Sequence, residues 1–212
     1  MSTTADALDP KVEWLAVAGD VDTWRSVGLA VGDDGLIPLI GTSIRVLPTP
    51  ADHPAGISGW ALSGVNETTD IDGLATEVVA PMTPSYAEHP IGASGLDHVV
   101  VSTADLERTS SAIASATGCE LKRIREVGTM RQGFHRIGRG GLIVELVERP
   151  DLPAGPATFW GLVVIVDDID VACEIIGTER ISAPKDAVQP GRRIATIRAD
   201  VGLGVPVALM TH

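Results

Sequence analysis

Gly95–Gly118, GLDHVVVSTADLERTSSAIASATG, decides the fold. His98 to Ser102 is a mostly β-branched run, and it predicts a largely buried strand. Beyond it, Leu106, Ser110, Ile113 and Thr117, with Ala116, recur at helical spacing, so a helix follows. Thr103 or Asp105 is its N-cap and Gly118 its stop. The stretches CELKRIREVG (119–128), RQGFHRIG (131–138) and GLIVELVE (141–148) then alternate or run apolar. Gly128 and Arg139–Gly141 supply the turns between them. The segment reads β-α-β-β-β.

The same opening recurs along the chain: an apolar strand, an acidic turn and a short helix. It is found as EWLAVAGDVDTW (13–24), DHVVVSTADLER (97–108) and GLVVIVDDIDVA (161–172), and more loosely as GWALSGVNETTDIDGL (59–74). A chain made of copies of one module can be compared with itself. In the last copy Asp168 caps a helix that ends at Gly177, and RRIATIRA and GVPVALMT supply later strands. Two modules, about 95–150 and 157–212, therefore fill a C-terminal domain of residues 93–212. Residues 1–92 hold a degenerate pair whose later strands are shortened or missing. APMTPSYAEHPIGASG (80–95), rich in Pro, Gly and Ser, marks the boundary. The fold class is α+β with paired βαβββ modules.

Composition limits the function. Lys and Arg number 16 against 28 Asp and Glu, a formal net charge of −12, and a polyanion such as nucleic acid needs the opposite balance. No apolar run is long enough to span a bilayer, and the N-terminus carries no signal-peptide pattern, so a cytoplasmic protein with no membrane partner is expected. Cys119 and Cys173, isolated from one another, form neither a CxxC motif nor a disulfide framework. No P-loop, dinucleotide fingerprint, nucleophile elbow or zinc-protease motif is present.

The paired modules, and specifically GLDHVVVSTADLERT, GCELKRIREVG, RQGFHRIG and LIVELVE, resemble the vicinal oxygen chelate superfamily of glyoxalase-like, bleomycin-resistance-like and extradiol-dioxygenase-like proteins. The resemblance implies curved mixed sheets around a cavity, with a divalent metal held by side chains on the first and last strands of the modules. In this sequence those positions are His98 and Glu145. An imidazole and a carboxylate suit Fe, Mn, Ni, Zn or Co, with open positions for a substrate with adjacent oxygens. Glu145 is the candidate catalytic group. A homodimer is implied by resemblance only.

Comparison within the chain restricts that site. His98 lies seven residues before Asp105, and the same offset from Asp168 lands on Gly161; the counterpart of Glu145 is approximately Ala208. Neither can ligate, so two ligands remain where a catalytic metal site has three or more. His135 is a candidate third ligand if the 139–141 hairpin turn has three residues, which sets it opposite Glu145. A two-residue turn sets Phe134 or Arg136 there instead. Glu13, seven residues before Asp20, is a weaker candidate. Arg123 and Arg136 are candidate cavity residues for a carboxylate or phosphate, and Trp160, beside Gly161, is a candidate aromatic wall. His53, His89 and His212 read as exposed. Three functions fit: a metal-dependent lyase, isomerase or dioxygenase; a metal-free protein that binds or sequesters a small molecule; and a decayed module that binds a partner.

Overall fold

The computed structural model describes residues 9–49 and 55–212; His53 lies outside them. The first half forms a six-stranded sheet from β1 (Lys11–Ala18), β2 (Leu36–Pro38), β3 (Ser43–Leu47), β4 (Gly56–Ser63), β5 (Asp70–Ile71) and β6 (Leu74–Val78), with α1 (Val21–Ser26) after β1. Its strand order is β2-β3-β1-β4-β6-β5. The second half forms an eight-stranded sheet. Its first module supplies β7 (Ala93–Thr103), α2 (Leu106–Thr117), β8 (Arg123–Val127), β9 (Met130–Arg136) and β10 (Ile143–Glu148). The second supplies β11 (Thr158–Val166), α3 (Ile169–Ile176), β12 (Lys185–Asp186), β13 (Arg193–Thr196) and β14 (Val207–Met210). The order is β12-β13-β14-β11-β7-β10-β9-β8, with the two first strands antiparallel at the centre.

The acidic turns are helix caps. Asp20, Asp105 and Asp168 each accept a backbone N–H of the following helix through their carboxylates, satisfying donors that a helix start leaves unpaired. Gly118 closes α2 in the left-handed region at φ 70°, where a side chain is unfavourable.

Alternation then sorts the faces. Val99, Val101, Val144 and Leu146 are fully buried and point to the helix side, where Leu106 and Ile113 of α2 cover them. His98, Val100, Ser102, Glu145 and Val147 point the other way, into a cavity. Gly133 sits on the helix face because a Cβ there would meet Leu106 and Leu121 at 3.2 Å.

The two sheets share one continuous apolar core. Trp60 of β4 meets Phe159 of β11 edge-on, with ring centroids 5.4 Å apart. Asp72, in the β5–β6 turn at φ 54°, takes the Arg108 guanidinium of α2, and its carbonyl accepts from the Ala157 N–H. No helix among the described residues is long and apolar enough to cross a membrane.

Candidate functional site

His98 and Glu145 meet in the cavity. Parallel pairing of β7 and β10 sets Glu145 beside Val100, two positions along from His98 on the same face. The His98 Nε2 stands 3.3 Å from Glu145 Oε2. The other imidazole nitrogen, Nδ1, is 2.7 Å from Asp97 Oδ2, although neighbours on a strand ordinarily face apart. A β-bulge explains this: β7 pairs Leu96 with Val164 and His98 with Val163, so Asp97 is an extra residue in the ladder. Arg192, before β13, anchors the other Asp97 oxygen at 2.7 Å and donates its Nε to the Thr211 carbonyl.

The electrostatics follow from this chain of contacts. Burial pushes the Asp97 carboxyl up, but hydrogen bonds from His98 and Arg192 outweigh it and hold the group below its ordinary value. Glu145 moves the opposite way. Its burial dominates over the opposing charges of His98, Arg125 and Arg123, and raises its pKa.

Because the ionised Asp97 can only accept, His98 Nδ1 donates to it, as in the carboxylate–imidazole pairs that orient metal ligands. In the neutral ring Nε2 then presents a lone pair toward a carboxylate oxygen. Two acceptors held this close need a positive centre between them, a proton or a metal ion.

Gln132 of β9 adds a third group. Its Nε2 donates to Glu145 Oε1 at 2.6 Å, and its own Oε1 is buried without a partner. An unsatisfied buried oxygen, on a cavity side chain whose amide nitrogen holds Glu145, is a donor of the kind that suits a divalent cation. The spacing of His98 and Glu145 suits one too, since ligands about 2.1 Å from one ion stand roughly 3–3.5 Å apart at angles near tetrahedral. Among the described residues no three His, Cys, Asp or Glu side chains converge on a metal position.

His135 is elsewhere. The β9–β10 hairpin pairs Glu145 with Phe134 and Val144 with His135, the two-residue-turn register, and a slip of one residue exchanges faces. The imidazole therefore points under α2, where Nδ1 donates to the Cys119 carbonyl and Nε2 accepts from Ser110 Oγ. Burial lowers its pKa. Arg136 is also outside the cavity, exposed and bonded to the Gly141 carbonyl. Arg123 shares the face of Glu145 two strands out and stacks on Phe134 at 4.6 Å. His89, expected at the surface, is buried: its Nδ1 accepts from Ala30 N–H and its Nε2 donates to the Pro38 carbonyl.

The second module follows the internal comparison. Val163 pairs with Ala208, so Ala208 stands to Gly161 as Glu145 stands to His98. A Cβ at Gly161 would approach the Pro206 carbonyl at 2.9 Å, so the strand crossing leaves no room for a ligand. In the first half, Ala16 pairs with Arg45, and the equivalent pair is Trp14 and Arg45, stacked at 4.3 Å. The stretch from Trp14 to Asp20 is one residue shorter than that from His98 to Asp105, so the seven-residue count lands instead on the bulged Glu13. Glu13 itself is buried between Lys11 and Ser63, 2.6 Å from each.

Apolar walls complete the cavity of about 390 Å³: Val100, Val147, Leu162 and Val207, with Met130 and Trp160. Trp160 is bulged out of the β7–β11 ladder and 55% exposed. Trp14, Trp24 and Trp60 are buried. Asp97, Gln132 and Arg149 were missed by residue type. The only signal was the Asp-His doublet, and nothing in the sequence revealed the bulge that turns it into a pair.

The fold is shared with solved structures. A triple mutant of 4-hydroxymandelate synthase from Streptomyces coelicolor superposes with a TM-score of 0.65 over 96% of this chain and 92% of its own, at 13% identity. Methylmalonyl-CoA epimerase from Mycobacterium tuberculosis gives a TM-score of 0.48 over 57% of this chain and 89% of its own, at 19% identity. An epimerase variant from Streptomyces coelicolor bound to 2-nitronate-propionyl-CoA gives 0.45 over 55% and 95%, also at 19% identity. No protein-family model and no curated protein matches the sequence.

Proposed function

We propose that this protein is a divalent-metal-dependent enzyme of the lyase, isomerase or dioxygenase kind, acting on a small molecule with adjacent oxygens. The observation that carries the reading is His98 Nε2 facing Glu145 Oε2 at 3.3 Å, with the tautomer set by Asp97. His98, Glu145 and Gln132 Oε1 would hold the ion. When bound, it supplies Lewis-acid polarisation of a substrate oxygen. Asp97 and Arg192 keep the imidazole in place, Gln132 orients the carboxylate, and the apolar walls exclude water. With the ion bound, Glu145 Oε2 would be a ligand and Oε1 would stay on the Gln132 amide; without it, burial raises the Glu145 pKa and favours a proton on the carboxylate.

A metal-free binding protein is the second reading. Gly161 and Ala208 favour it, because the second module contributes wall rather than ligand. A proton between His98 and Glu145 would then do the work of the ion.

One experiment separates the two. Metal analysis of purified protein and calorimetric titration with Mn²⁺, Ni²⁺ and Zn²⁺ should find one tight site in the wild type. His98→Ala and Glu145→Ala should abolish it, Asp97→Asn should weaken it about 10–100-fold as orienting partners do, and His212→Ala should leave it unchanged. Wild-type binding no tighter than that of His98→Ala would end the metal-dependent reading in favour of the binder.

A further inference from the structure

The cavity is chemically polarised along its length. His98 lies on one side of Glu145 along the strands, while Arg149, four residues beyond Glu145, lies on the other and is the sole lysine or arginine among the lining residues. β10 places Glu145 and Val147 at alternate positions on one face, and Arg149, the residue after its end, also lines the cavity. At about 3.3 Å per residue, the Cα atoms of Glu145 and Arg149 stand roughly 13 Å apart. Between them Val147 is flanked by Ser102 of β7 and Gln132 of β9, and Val100, Leu162 and Val207 supply apolar wall.

Arg149 is held ready rather than spent. Asp151 takes its Nε and Nη2 at 3.1 and 2.7 Å, which fixes the plane of the guanidinium. Nη1 has no partner among the described residues. A guanidinium carries five N–H donors in a planar fork, so a second anion can bind the edge that Asp151 leaves open. The Arg149–Asp151 pair is itself half-exposed, and such surface pairs contribute little to stability.

We propose that Arg149 is an anion-binding subsite that selects the ligand. The molecule bound here carries a carboxylate or phosphate at one end, an apolar aryl or short alkyl body, and its reacting oxygens at the other end. The assignment of the reacting end rests on the function proposed above; the anion subsite does not. The net charge of −12 opposes this only at long range, since charges beyond about 8 Å are screened at physiological salt. The arginine acts at contact. Cavity arginines are expected from sequence at Arg123 and Arg136, but the arginine that lines the cavity is Arg149.

Probes titrated into chelator-treated protein test the subsite independently of any metal. 3-Phenylpropanoate, 2-phenylethyl phosphate and neutral 3-phenylpropanamide should be titrated into full-length protein, read by calorimetry and by indole fluorescence. At least one of the two anions should bind about tenfold tighter than the amide, and which one does identifies the tail chemistry. Arg149→Met should remove that preference while leaving amide affinity and the melting temperature unchanged; Arg149→Lys should keep part of it. The preference should also shrink as NaCl rises from 0.02 to 0.5 M. Equal binding of anions and amide, binding of none of the three, or an undiminished preference in Arg149→Met would each overturn the subsite. Loss of metal binding with the anion preference intact would overturn the metal reading alone.

Discussion

At the scale of single residues, the site depends on which side of a strand each group faces. Gly161 shows the constraint most directly: any Cβ there meets the Pro206 carbonyl. Gly161→Ala should therefore destabilise the protein by about 1–3 kcal/mol through overpacking, and Gly161→His should do so without improving metal affinity; denaturant titration and calorimetry measure both. His135 is a structural residue with a pH signature. Its folded-state pKa is lowered by burial from the ordinary 6.5, so the unfolded chain takes up a proton first. The neutral ring's contribution is complete above about pH 6.5 and is lost as pH falls through the folded value. Wild-type protein should lose more melting temperature between pH 7 and pH 5 than His135→Gln, and equal losses would contradict this.

At the scale of elements, caps and bulges decide what the strands present. The acidic turn holds a helix start at Asp20, Asp105 and Asp168, whereas in the looser copy it joins β5 to β6, and Asp105→Ala should cost about 1 kcal/mol in stability through the lost bond to Arg108 N–H. Chemical denaturation checks it. That motif was readable from spacing alone, as were the strand and helix of GLDHVVVSTADLERTSSAIASATG. The bulge at Asp97 was not readable, because an extra residue in a ladder has no local sequence mark when its partner strand is distant. The hairpin at 139–141 had two self-consistent registers, and each put a different side chain opposite Glu145. Burial of the His135 imidazole beneath α2 is compatible with one of them.

At the scale of the whole molecule, the two sheets are joined by Trp60 against Phe159, by Asp72 on Arg108 and by a shared core. We propose that residues 1–92 and 93–212 are halves that unfold together. Full-length protein should melt in one calorimetric transition, and Trp60→Ala should lower stability by about 3–5 kcal/mol. Two resolved transitions, with only one moved by Trp60→Ala, would show that the halves unfold independently.

The sequence by itself determined the module, its repetition, the α+β class, and the empty ligand positions at Gly161 and Ala208. These are properties of periodicity, capping and spacing along a strand, all set by neighbours a few residues away. Only the tertiary structure decided that His98 points at Glu145, that Asp97 turns beside it, that Gln132 and Arg149 reach the cavity and that His135 and Arg136 do not. Those facts depend on register between strands tens of residues apart. One residue of slip exchanges the faces of a strand, and the packing of both faces at once selects the register.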